Sequence, residues 1–80
     1  MILQGSFVLI SVESREGSNG RMYYNVNLES EDGKVNRVGV NEEVVSVLTE
    51  KYKKYDGFFD VGSYKGEMYM RLCDARLVGK

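Results

Sequence analysis

The chain opens on an alternating run. In "MILQGSFVLISVE", Phe7 and Leu9 fall on one side of an extended backbone, and Val8, Ile10 and Val12 fall on the other. This predicts a long first strand over residues 2–12. "SREGSNGR", residues 14–21, holds two glycines, two serines, an asparagine and two arginines, and reads as a flexible, weakly basic loop. Alternation returns in "MYYNVNLE", residues 22–29, where Tyr24, Val26 and Leu28 share an apolar face. Tyr23, Asn25 and Asn27 share the opposite face, so a large ring stands on the wet side, just after Arg21. "SEDGK" follows, and its Asp32-Gly33 dipeptide accepts the positive φ angles of a tight hairpin turn. A third strand, "VNRVGV", should therefore pair antiparallel with the second. Its phase stays open: Val38 and Val40 inward with Arg37 outward, or the reverse with Val35 inward.

From Asn41 the period changes. Asn41 suits a helix N-cap, Glu42 and Glu43 suit the positive end of the helix dipole, and Val44, Val45, Leu48 and Tyr52 recur at helical spacing. Lys51, Lys53 and Lys54 crowd the far end, and Gly57 can terminate the turn. A helix within residues 41–57 is expected, although its valines favour strand. "FFDVGSY" and "EMYMRLCDARLV" predict two last strands joined by a short turn at "YKGE". Three strands, a helix and two strands over residues 1–80 is the order of a single OB-fold domain. That fold is a mainly β, five-stranded barrel with the helix between strands three and four. An SH3-like barrel, which usually carries only a short helical turn in that interval, is the nearest competitor.

Charge narrows the function. With 11 basic and 12 acidic residues the net charge is −1, so any nucleic-acid site must come from local clustering. Seven of the twelve acids lie from Glu29 to Asp56, whereas residues 61–80 hold four basic and two acidic residues. The acids are therefore expected at the hairpin tip and helix, leaving one barrel face mildly positive. The apolar start lacks a basic leader and is broken by Gln4 and Gly5, so a cytoplasmic location with no membrane partner is expected. The only cysteine, Cys73, excludes an internal disulfide and reads as a small strand residue.

Histidine is absent, which removes Ser-His and Cys-His nucleophiles and the usual zinc ligand sets. Glu42-Glu43 and Glu31-Asp32 are accounted for by a helix start and a hairpin turn. The glycines match no phosphate-cradling motif. The expectation is a binding module with no catalytic residue, no cofactor and no metal.

Rings and cations remain. Tyr23, Tyr64 and Tyr69 lie on strands or at a strand end, in phases that can face outward. Arg15, Arg21, Arg37, Lys34, Lys65 and Arg71 lie in the same segments. Single-stranded nucleic acid is held by such a mixture, with rings stacking on bases and cations following phosphates. Asn25 can add hydrogen bonds to sugar or base edges. The expected site is the face of strands two and three with its flanking loops: Arg15, Arg21, Tyr23, Asn25, Arg37, Tyr64, Lys65, Tyr69 and Arg71. The competing account is that tyrosines are good strand formers and the charges merely solvate the surface.

The passages "SREGSNGRMYYNVNL" and "GEMYMRLCDARLV" resemble segments of the small single-stranded DNA-binding, helix-destabilising proteins of phages and mobile elements. The filamentous-phage members are comparable in length. The resemblance implies that Arg15 and Arg21 are loop phosphate contacts and that Tyr23 is a stacking ring. Tyr64 or Tyr69 would be a second ring, and Arg71 or Arg76 a terminal-strand phosphate contact. It further implies non-specific binding of single-stranded DNA, with RNA as the alternative polymer, in phage or plasmid DNA replication. The filamentous-phage proteins have no well-developed helix where this chain has "NEEVVSVLTEKYKKY". Their dimer-forming hairpin has no recognisable counterpart here, so a homodimer stays open. The alternative of a different class is a small OB- or SH3-like adaptor subunit that binds protein, favoured by the acidic isoelectric point of about 5.4.

Overall fold

The computed structural model describes residues 1–78. Its strands are β1 (Ile2–Glu16), β2 (Met22–Ser30), β3 (Val35–Val40), β4 (Lys54–Tyr64) and β5 (Glu67–Leu77), with one short helix, α1 (Glu42–Val45), between β3 and β4. They close into a barrel in the order β1-β2-β3-β5-β4, with β4 returning to β1. This is the OB-fold arrangement. All pairings are antiparallel except β3 with β5, which run parallel through Gly39–Arg71 and Val40–Leu72.

Alternation places the core. Phe7, Leu9, Val26, Leu28, Val38 and Val40 are buried, while Val35 is exposed. The phase of β3 is thereby settled, with Arg37 outward. Tyr55 is fully buried and stacks on Phe7 at 5.7 Å between ring centroids. Its hydroxyl accepts the Glu50 N–H at 3.1 Å. Gly57 does not end a helix as expected. It lies on β4, where a Cβ would stand 2.7 Å from the Phe7 ring, so its missing side chain makes room for that ring.

Two bulges reset the alternation. On β1, Leu9 faces Leu28 and Ser11 faces Asn27, which leaves Ile10 as the extra residue. Val12 therefore comes round to the core side opposite Val26, although parity places it opposite to Leu9. On β5, Phe58 faces Asp74 and Phe59 faces Leu72, so Cys73 is the extra residue.

Residues 14–21 depart from the expected loop. Glu13, Ser14, Arg15 and Glu16 pair with Asn25, Tyr24, Tyr23 and Met22, extending β1 and β2 into a ribbon that turns only at 17–21. Polar side chains do not prevent this, because the ladder satisfies the backbone of both strands.

The helix also departs from expectation, stopping after Glu42–Val45. Val44, Val45, Val47 and Thr49 are β-branched and lose rotamer freedom in a helix. Asn41 stands at the N-cap, but its side chain caps no helix N–H. Tyr52 is left-handed, with φ 66. The chain there bonds β1 instead: the Tyr52 N–H donates to the Leu9 carbonyl at 2.6 Å, and the Leu9 N–H donates to the Lys53 carbonyl at 3.0 Å. Val44 and Leu48 are buried in the core. No helix among the described residues is long and apolar enough to cross a membrane.

The β2–β3 and β4–β5 turns fall where expected. At the first, only Gly33 has a positive φ, 84, and Asp32 plays a different part. Its carboxylate accepts the Ser30 hydroxyl and the Lys34 N–H. Those bonds, Ser30 first, hold its pKa below the ordinary 3.8. At the second, Lys65 and Gly66 have φ 54 and 83, the pattern of a two-residue type I′ turn.

Candidate nucleic-acid interface

The pairing registers bring a row of side chains across the barrel exterior. Glu13 on β1 faces Asn25 on β2, which faces Gly39 on β3, which faces Arg71 on β5, which faces Asp60 on β4. Parallel to that row, Ser11 faces Asn27, which faces Arg37. Towards the β1–β2 turn, Arg15 faces Tyr23, and on β5 the next outward residue after Arg71 is Tyr69, opposite Gly62. Arg15, Tyr23, Asn25, Arg37, Tyr69 and Arg71 thus share one curved surface. Arg21 stands at its edge, immediately before β2.

Tyr64 and Lys65 lie farther along, and Tyr64 lines one hollow with Tyr69 and Arg71. They form the tip of the β4–β5 hairpin, at the end of the barrel opposite the β1–β2 turn, because β5 runs parallel to β3. The Lys65 ammonium lies 5.4 Å from the centre of the Tyr64 ring, a cation–π distance.

The two central rings each rest on a glycine. Tyr23 is 39% exposed and packs over Gly17, where a Cβ would meet its Cε2 atom at 2.5 Å. Its hydroxyl accepts the Asn19 amide at 3.3 Å. Tyr69 is 45% exposed and lies across Gly62, where a Cβ would meet its hydroxyl at 2.7 Å. Between the rings, the Arg71 guanidinium lies over Gly39 and donates through Nη1 to Asn41 Oδ1 at 3.0 Å. Asn41 Oδ1 thus meets Arg71 and no helix N–H.

The face is less uniformly positive than charge segregation predicts. Glu31, Asp32, Glu42 and Glu43 do sit at the hairpin tip and helix, but Glu13 and Asp60 enter the central row. Glu13 Oε1 pairs with Arg37 Nη2 at 3.2 Å, and its other oxygen accepts the Asn27 amide at 3.0 Å. Among the described residues, no acid stands within ion-pair distance of Arg15, Arg21, Lys65 or Arg71. Arg76 faces Asp56 on the β4 side, so Arg71 is the terminal-strand arginine beside β3.

Sequence reading misses the supporting residues Glu13, Asn19, Asn41 and Gly62. No sequence signal marks them: Glu13 comes opposite Asn25 only because β1 runs on to Glu16. Two open hollows flank the face, one of about 440 Å³ beside Arg15 and Tyr23 and one of about 520 Å³ beside Tyr64, Tyr69 and Arg71. No group of three or more metal-ligating side chains gathers among the described residues. Comparison of the chain with protein-family models, curated proteins and solved structures finds no match.

Proposed function

We propose that the chain binds single-stranded DNA without sequence preference. In this reading Tyr23 and Tyr69 stack on bases, while Arg15, Arg21 and Arg71 contact phosphates. The observation that carries the reading is the pair of half-exposed rings, 39% and 45% exposed, on one barrel face with Arg71 between them. A ring seated on a glycine keeps its orientation before a base arrives, and each base–ring contact is worth roughly 1–3 kcal/mol. Few groups are set to read base edges, Asn25 foremost, so discrimination between bases is small. Tyr64 and Lys65 extend the track along the β4–β5 hairpin.

Two carboxylates near the face and its hairpin are used structurally, Asp32 within its turn and Glu13 by Arg37 and Asn27. A helix-destabilising role in phage or plasmid DNA replication, in the cytoplasm, accords with the resemblance of the β1–β2 segment and the terminal strand. Fluorescence anisotropy of a labelled oligothymidylate at low salt tests the proposal, with single-stranded DNA, RNA and duplex DNA as competitors. Single-stranded DNA should displace the probe far better than duplex of equal length. Equal displacement by duplex overturns single-strand preference, and no binding at all transfers the protein to the adaptor class.

A further inference from the structure

The seam between β3 and β5 is bonded through Gly39–Arg71 and Val40–Leu72. Just before these pairs, Val38 and Met70 have no partner across the seam, and an apolar groove of about 490 Å³ opens beside them. That volume is in the small-molecule range. Phe7, Leu28, Val38, Phe59 and Met70 wall the groove, and the first three are buried, so it reaches the core. Gly5 makes the room. It shares the inward side of β1 with Phe7 and faces Gly57 on β4, yet a Cβ added to it would meet no atom within 4 Å. Inward strand positions ordinarily fill a core to close packing; here the space stays open.

The rim of the groove is made of amides. Gln4 and Asn36 line it and are exposed. The hydroxyls of Ser6 and Ser30, which also line it, are taken up by Asp56 and Asp32. Two side chains join the groove to the outer face. Arg37 lines the groove and stands in the row with Asn27 and Ser11. Met70 walls both the groove and the hollow of Tyr64, Tyr69 and Arg71.

We propose that the groove is a base pocket, a reading that rests on single-strand binding by the adjoining face. One nucleobase of the bound strand leaves the stacked row, passes between Arg37 and Met70, and lies against Val38 and Phe59. A base is apolar on its flat faces and carries donors and acceptors along its edge, which matches apolar walls under an amide rim. An acyl chain would cover those amides and give them no partner. Each amide both donates and accepts, so the pocket takes any of the four base edges, in keeping with binding that ignores sequence.

Gly5→Leu fills the pocket from the inner side of β1. Its melting temperature should hold or rise, since the added side chain is buried among apolar neighbours. Its affinity for oligothymidylate should fall about fivefold or more through loss of one base contact. In the parent saturated with oligothymidylate, nuclear Overhauser contacts should run from a thymine methyl to the methyls of Leu3 and Val38. That measurement decides the matter if Gly5→Leu does not fold. Undiminished affinity in Gly5→Leu, or thymine contacts confined to Tyr23 and Tyr69, overturns the pocket while single-strand binding stands, and leaves the groove to an acyl chain or a peptide strand. A parent that binds no oligothymidylate overturns both.

Discussion

Arg37 and Glu13 face each other at 3.2 Å across the outer face of β2, both about half exposed, and their pairing offsets one positive charge on the proposed binding face. An exposed pair of this kind is worth roughly 0–1 kcal/mol, so a phosphate can compete with Glu13 for Arg37. Replacing Glu13 with Gln should tighten binding of a short oligonucleotide about two- to fivefold at low salt. Melting temperature should barely move. Unchanged affinity would show that the strand does not pass Arg37.

Gly62 supports Tyr69 by having no side chain. A Cβ there would stand 2.7 Å from the Tyr69 hydroxyl, so Gly62→Val forces the ring off its seat while suiting a strand. Its loss of affinity should approach that of Tyr69→Ala, roughly 1–3 kcal/mol. Anisotropy titrations of both variants give the comparison. Parent-like binding by Gly62→Val alongside a deficit in Tyr69→Ala would remove any role for the seat.

The tyrosines should separate by stability. Tyr55→Ala removes a fully buried ring and should cost about 3–5 kcal/mol, and Tyr55→Phe about 0.5–1.5 kcal/mol through the lost bond to Glu50. Tyr24, packed against the core but only partly buried, should cost about 1–3 kcal/mol as alanine. Tyr23→Ala, which removes a ring 39% exposed and resting on Gly17, should cost no more than about 1 kcal/mol. Urea denaturation ranks them, and Tyr23 ranking above Tyr24 would invert the faces of β2.

Tyr24, Val26 and Leu28 orient β2 unaided, because a two-residue period with one buried face permits only one phase. Nothing in "FVLIS" marks Ile10 as an extra residue, so parity misplaces Val12. Bulges depend on pairing, and pairing is tertiary. Val44, Val45, Leu48 and Tyr52 have helical spacing, but the barrel takes Lys54–Gly57 for β4 and the valines yield after one turn. Of the candidate face, the residue types and their strands are legible, since Tyr23, Asn25, Arg37, Tyr69 and Arg71 fall on one side of the barrel. The partners that restrain them are not legible, since Glu13 meets Arg37, and Asn41 meets Arg71, only across strands or from the segment after β3.

Asp32 gives the β2–β3 turn a pH dependence. Its folded pKa lies below the ordinary 3.8, chiefly through the Ser30 hydroxyl and then the Lys34 N–H. Its contribution is therefore present above 3.8 and is lost as pH falls through the lower folded value. Asp32→Asn should be less stable than the parent at neutral pH, with the gap narrowing in stronger acid. Denaturant midpoints for both proteins across that range measure it, and a constant gap would mean that the carboxylate's charge is not what the turn uses.

The central claim, a face of stacking rings and a few phosphate-binding cations, is tested most directly by the salt dependence of oligothymidylate binding. Arg15, Arg21, Lys65 and Arg71 have no acidic partner among the described residues, and three or four of them can follow one strand. At about −0.7 per phosphate neutralised, the slope of log affinity against log salt should be roughly −2 to −3. Arg71→Ala should flatten that slope by somewhat under one unit, whereas Tyr23→Ala should lower the line without tilting it, because stacking is barely screened. A parent with no slope, or a Tyr23→Ala line that tilts as much as that of Arg71→Ala, would contradict the account.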